Sequence, residues 1–312
     1  MDSLRIIFLG TPEFALPFLQ ALVKSNYKPV LVVTQPDEPA GRKYELQAPP
    51  VKLLALKSGL KVAQPENKKQ LAEVLKKEQP DICILVAYGV MVNAEILAIP
   101  RLGFINVHPS LLPKYRGTSP IQTAIFNGET KTGVSIMQLD STMDGGPIFA
   151  QEDLSILAGD TNQSLHERLA RVGADLLLKI LPQIISQKLK AQKQDDSQAT
   201  FTKIIARSAG QVDWQKSATE IDRKFRAFYP WPGLFTHLDG NRLKIVNLSV
   251  LGGNFGPELG TGELFLADPA TLAVKCRQGA VALNQVQLEG RKVVSGADFS
   301  RGHQSIIGKI LI

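Results

Sequence analysis

Apolar residues follow two rhythms in the first half of this chain. Leu4–Leu9, Val30–Thr34 and Ile82–Ala87 are continuous apolar runs, which predicts strands covered on both faces. Between them Glu13–Lys24, Pro49–Ser58 and Asn67–Lys77 carry apolar residues at helical spacing, and Val62-Ala63 reads as a short strand. Strands alternating with helices predict a Rossmann-like, mostly parallel α/β sheet. Gly103, Phe104 and Ile105 open another strand-like run, which places Asn106 and His108 at a strand end. Val134–Leu139 and Ile148–Ile156 mix apolar and polar residues roughly in alternation, the pattern of half-buried strands. An amphipathic helix is predicted from Ser164 to Gln187, kinked at Pro182, with Ser164 and Glu167 spaced as a capping box.

The rhythm lapses after this helix. Lys188–Thr200 is rich in Lys, Gln, Asp and Ser, has no sustained apolar period and reads as a linker. Ser217–Phe228 resumes as a helix. Leu234–Leu238, Leu243–Leu251, Gly262–Ala267, Leu272–Arg277 and Val281–Leu288 then follow as short strands set apart by Gly, Asn and Asp. Five such strands suggest a small β-barrel. The expected division is a first domain over 1–187, a linker over 188–206 and a barrel domain over 207–312.

Composition narrows the class. The 312 residues suffice for two domains with real cores, and 44% apolar content is ordinary for a globular chain. No apolar run approaches the roughly 18 residues of a membrane span. Met1 to Arg5 leads straight into a strand, without the basic and long apolar regions of a signal peptide. Two cysteines, Cys83 and Cys276, lie far apart, with Cys83 inside an apolar run. That usage fits a reducing cytoplasm, and no metal-ligand spacing is present. The formal charge is +7, and from residue 200 onward 14 Lys and Arg face 9 Asp and Glu. The basic excess therefore lies mostly in the last third, where it suits a polyanionic partner.

Candidate chemistry gathers at Asn106-Val107-His108-Pro109-Ser110-Leu111-Leu112-Pro113 and, further on, at Met143-Asp144-Gly145-Gly146. An amide, an imidazole and a carboxylate are the groups that addition to a carbonyl needs. Asp140 is the alternative carboxylate. The other histidines, His166, His237 and His303, read as structural or surface residues. Strand ends at Gly10, Tyr88 and Asn106 fall on the side of a parallel sheet where ligands bind. Gly10-Thr11-Pro12-Glu13 lacks the later glycines of a dinucleotide-binding turn, which weakens a dehydrogenase reading.

These residues resemble the signature of the formyltetrahydrofolate-dependent formyltransferases, Asn-x-His-Pro-Ser-Leu-Leu-Pro-x-x-x-Gly followed by an Asp near a glycine-containing turn. Phe8–Ala15, Thr34–Asp37, Pro39–Arg42, Val86–Gly89 and Phe228–Gly233 extend the likeness along nearly the whole chain, toward the members that act on methionyl-tRNA. Gly145 departs from the usual Thr, Ser or Ala. The resemblance implies an OB-like C-terminal barrel and catalytic roles for Asn106, His108 and Asp144. It implies that Ser110, Leu111, Leu112, Pro113, Tyr88 and Gly89 contact the donor, 10-formyltetrahydrofolate, a cosubstrate used without a metal. The expected acceptor is methionine on initiator tRNA, and the expected protein is a cytoplasmic monomer free of membranes. Lys190, Lys203 and Arg207 are candidate tRNA contacts, as are Arg42, Lys43 and Tyr44 in the long Gln35–Pro50 connection. Where the family usually has Gly-Lys-Lys, this loop has Lys43-Tyr44-Glu45. The missing glycine-rich phosphate loop and the second domain argue against a glycinamide ribonucleotide formyltransferase. An enzyme that formylates an amino sugar, a formyltetrahydrofolate hydrolase and a noncatalytic tRNA-binding protein are the alternatives.

Overall fold

The computed structural model describes residues 4–40, 45–253, 255 and 258–312. The chain divides into two compact units. One comprises the chain to Pro120, Lys131–Ser155 and Leu165–Thr202; the other comprises Ile121–Thr130, Ile156–Ser164 and Lys203–Ile312. Arg42, Lys43 and Tyr44 lie outside the described residues.

In chain order the first half contains β1 (Ile6–Gly10), α1 (Leu16–Val23), β2 (Leu31–Val33), a hairpin of β3 (Glu38–Ala40) and β4 (Glu45–Gln47), α2 (Pro50–Lys57), β5 (Val62–Ala63), α3 (Lys68–Glu78), β6 (Ile82–Val86), α4 (Ala94–Leu97) and β7 (Phe104–His108). There follow α5 (Pro120–Phe126), β8 (Lys131–Gln138), β9 (Ile148–Ser155) and α6 (Asn162–Ile185). One seven-stranded sheet runs β5-β2-β1-β6-β7-β8-β9. It is parallel from β5 to β7 and antiparallel through β8 and β9. The continuous apolar runs β1, β2 and β6 are buried throughout, as strands covered on both faces must be.

Two local expectations are corrected. The half-buried pattern read at Val134–Leu139 fails for β8, where Val134, Ser135, Ile136 and Met137 are all buried. Ser135 tolerates burial because its hydroxyl is fully engaged. It donates to Ser110 O at 2.6 Å and accepts from Leu112 N at 3.0 Å and Gln151 Nε2 at 2.8 Å. The capping box placed at Ser164 and Glu167 sits three residues earlier. Thr161 Oγ1 accepts from Ser164 N at 3.2 Å while Ser164 Oγ accepts from Thr161 N at 3.0 Å. A hydroxyl at the third helical position thus substitutes for the usual Glu or Gln.

The second unit contains α7 (Ala218–Phe228), β10 (Leu234–Leu238), β11 (Asn241–Leu251), β12 (Leu264–Asp268), β13 (Thr271–Lys275), β14 (Ala280–Leu288), β15 (Val294–Ser295) and α8 (Gly296–Gly302). Ser217 and Glu220 cap α7 reciprocally. The sheet is antiparallel in the order β10-β11-β14-β13-β12, with β15 on β14. The five expected strands are present, and the two-residue β15 is added. Residues 308–312 bridge the outer strands. Ile312 exchanges hydrogen bonds with His237 of β10 at 2.8 and 3.1 Å, while Lys309 O and Gly308 N bond Leu264 of β12 at 2.8 Å each. Neither edge is left open along this seam.

No described helix is long and apolar enough to cross a membrane. Both cysteines are fully buried and unpaired. Burial pushes the Cys83 thiol far above its ordinary range and the Cys276 thiol up to about 12. Since the thiolate is the reactive form, neither should react with a thiol–disulfide reagent near neutral pH until the protein unfolds. Stoichiometric labelling of the native protein would contradict this.

Candidate active site

The parallel strands deliver their chemistry at their carboxyl ends. Beyond β6 the chain turns through Ala87 and Gly89, both at positive φ, and its next residues wall a cavity of about 350 Å³. Leu85, Val90, Met91, Val92, Leu97 and Leu139 give the cavity an apolar side; Asn106, Asp140 and Asp144 give it a polar one. A space of this kind accepts a flat heterocycle on its apolar wall and leaves polar groups for a reacting carbonyl.

Asn106 and His108 are two residues apart on β7, the period that puts both on one face of the strand. Both are buried. Asp144 sits in a turn after β8 at φ 49°, a left-handed conformation that Asp tolerates better than most residues. Its carboxylate spans both partners. Oδ1 accepts from Asn106 Nδ2 at 3.5 Å, and Oδ2 lies 3.6 Å from His108 Nδ1. Gly117 N donates to Oδ2 at 2.8 Å. The other imidazole nitrogen, Nε2, is 2.9 Å from Tyr115 O. A carbonyl can only accept, so Nε2 carries a proton in this arrangement. His108 does not line the cavity, whereas Asn106 and Asp144 do. The ring lies between the Asp144 carboxylate and the Tyr115 carbonyl.

The turn that carries Asp144 is tight. A Cβ on Gly146 would collide with the carbonyl oxygen of Gln138, a backbone atom that cannot swing aside. A Cβ on Gly145 would meet Thr142 Oγ1, and that hydroxyl donates to Asp140 Oδ1 at 2.5 Å. The departure at Gly145 thus has a local reason: Thr142 fills the space a side chain there would need.

The six expected donor contacts are not all at the cavity. Gly89 lines it. Tyr88 is a core side chain among Leu85, Val92, Ile96 and Phe104, and burial raises its hydroxyl to about 12. Its carbonyl accepts from Thr11 Oγ1 at 3.0 Å and Gln35 Nε2 at 3.2 Å. Ser110, Leu111, Leu112 and Pro113 form a hydrogen-bonded turn, with Ser110 Oγ donating to Lys114 O at 2.6 Å and Gln151 Nε2 donating to Leu112 O at 2.8 Å. Sequence reasoning missed Tyr115, whose contribution is a backbone carbonyl, and Gln194, which lay in the supposed linker. Lys190, Lys203 and Arg207 are exposed, the first in one unit and the other two in the second. His166 packs edge-on against Phe14 with centroids 4.9 Å apart, His237 against Phe235 at 5.7 Å, and His303 bonds Phe299 O at 3.1 Å. His303 is exposed at the surface.

The family described as "Formyl transferase" matches residues 4–181, and its companion, "Formyl transferase, C-terminal domain", matches residues 204–304. The chain belongs to this formyltransferase family. A methionyl-tRNA formyltransferase of Methylococcus capsulatus is 42% identical over 310 residues, which cover 99% of each chain. One from Myxococcus xanthus is 41% identical over 306 residues, 97% of this chain and 96% of its own. Among solved structures, HypX from Aquifex aeolicus in complex with tetrahydrofolic acid aligns with a TM-score of 0.65 at 16% identity, over 96% of this chain and 47% of that one. At that identity the likeness concerns the fold, and it spans both parts of the formyltransferase architecture.

Proposed function

We propose that this chain transfers the formyl group of 10-formyltetrahydrofolate to the α-amino group of methionine on initiator tRNA. The observation that carries the chemistry is the placing of Asn106 and Asp144 side by side on the polar wall of one cavity. The acceptor follows from the full-length likeness to methionyl-tRNA formyltransferases. The neutral amine attacks the formyl carbon, and the carbonyl π electrons move onto oxygen. Asn106 Nδ2–H donates to that oxyanion. Asp144, held toward His108, takes the proton that the amine loses as its new C–N bond forms. Collapse of the intermediate breaks the bond from carbon to folate N10, which leaves with a proton relayed through the site. The apolar wall from Val90 to Leu97 holds the pterin, and Gly89 permits its close approach.

In this reading Arg42, Lys43, Tyr44, Lys190, Lys203 and Arg207 meet the tRNA, the basic side chains at phosphates and Tyr44 by stacking. An OB-like barrel in the C-terminal part, a cytoplasmic location and a monomeric state belong to the same proposal. Purified protein should formylate Met-tRNA from 10-formyltetrahydrofolate and leave free methionine and sugar amines untouched. Formylation of a sugar amine in place of Met-tRNA would replace the acceptor. Release of formate with no acceptor modified would replace transfer by hydrolysis.

A further inference from the structure

The segment 192–202 behaves as a strap within the first unit. At its start Gln192 pairs with Ile148 of β9 through two backbone hydrogen bonds of 2.8 Å. At its end Arg116 N donates to Thr200 O at 2.8 Å and Thr202 N donates to Arg116 O at 2.7 Å. Between these anchors Gln194 turns inward and is buried. Its amide nitrogen donates to Asp144 O at 2.8 Å and to Gly146 O at 2.7 Å. Its amide oxygen accepts twice from the buried Arg116 guanidinium, at 3.1 and 2.8 Å, and Arg116 also pairs with Asp196 at 2.7 Å. Every hydrogen-bonding position of the Gln194 amide nitrogen is thereby used on the two carbonyls that bracket the turn.

The same strap reaches the opposite side of the histidine. Thr200 Oγ1 accepts from Tyr115 N at 2.8 Å, and Tyr115 O is the partner of His108 Nε2. Both groups that face the imidazole ring, the Asp144 carboxylate and the Tyr115 carbonyl, are thus held by one stretch of chain. The Asp144 backbone sits in a left-handed conformation, which persists where its surroundings fix it. The two N–H groups of Gln194, on the carbonyls of Asp144 and Gly146, supply that fixation.

We infer that Gln194 is a positioning residue for formyl transfer: it holds the Asp144 turn in register with Asn106 and His108, with Thr200 supporting the Tyr115 side. This rests on the reading given above. It differs from a linker role, in which residues of this segment would touch the tRNA and little else.

The test compares Gln194→Leu, Gln194→Glu and Thr200→Val with the wild type in single-turnover formylation of Met-tRNA, with tRNA and donor affinities measured separately. Gln194→Leu removes both donors at similar size. Gln194→Glu keeps an acceptor for Arg116 but sets a carboxylate against two carbonyls. Each Gln194 variant should lose about 100-fold in rate, the scale of a small misplacement of a reacting group. Both affinities should stay within about two-fold, because the groups that bind remain in place. Thr200→Val should lose less rate with the same split. A wild-type rate for Gln194→Glu would overturn the proposal, since the bond to Arg116 would then suffice. Loss of tRNA affinity in parallel with rate would also overturn it, in favour of a linker or general folding role. If the wild type itself fails to formylate Met-tRNA, the functional reading has failed instead. Proteolytic protection of the 140–147 turn, compared between wild type and Gln194→Leu, then decides the structural claim alone: an unchanged cleavage rate rejects it.

Discussion

Replacing Asp144 by Asn should lower the single-turnover rate of formylation by about 100- to 10,000-fold, the range that a positioned proton acceptor contributes. The substitution is nearly isosteric. An Asn side-chain oxygen can still accept from Gly117 N, which now bonds Oδ2 at 2.8 Å. What is lost is the capacity to take the proton of the attacking amine and to face His108 Nδ1 with charge. Asn106→Ala should cost about 100- to 1000-fold, the usual loss on removing one oxyanion donor. Neither change touches the apolar wall, so donor affinity should hold. Rates within a few-fold of wild type for both variants would remove Asn106 and Asp144 from the chemistry and leave the cavity as a binding site only.

The second large effect concerns a glycine. Gly146→Ala forces a methyl group against the carbonyl oxygen of Gln138. Gln138 N donates to Pro147 O at 2.9 Å, so the crowded strand is locked to the same turn. Relief requires movement of backbone that also carries Asp144. We expect a destabilisation of about 1–3 kcal/mol, typical of overpacking, and a rate loss of about 100-fold from the displaced carboxylate. Gly145→Ala meets side-chain atoms alone, the Thr142 hydroxyl and Cβ and the end of Arg116. Its effect should be smaller, and adding Thr142→Gly should reverse it. Denaturant midpoints and single-turnover rates report both quantities. A Gly146→Ala protein that melts and turns over like wild type would mean that the approach to Gln138 is looser than described.

The sequence carried what depends on burial of apolar runs and on residue identity. β1, β2 and β6 were legible because both their faces are covered, which leaves no polar alternation. Asn106, His108 and Asp144 stood out because amide, imidazole and carboxylate are distinctive chemistry, and the fold brings the three side chains together. The misses share another cause. Ser135 is polar yet buried, since three hydrogen bonds satisfy it. The 192–202 strap has no apolar period, since hydrogen bonds and the ion pair from the buried Arg116 to the exposed Asp196 hold it in place of an apolar face. Tyr115 acts through its carbonyl, which every residue possesses. Ser110–Pro113 and Tyr88 were named for the donor by resemblance alone; what the fold adds is a hydrogen-bonded turn at Ser110 and Leu112 and a core position for Tyr88.

The position of the strap bears on modular exchange. The two matched family segments end at 181 and resume at 204, and the strap falls in the gap. A chimera joined anywhere in that gap looks like a harmless splice between two modules. A junction before 192 would instead import the partner's residue at 194 and set it beneath a turn it did not evolve with. A junction after 202 would keep Gln194, Arg116 and Asp144 together as one inherited set.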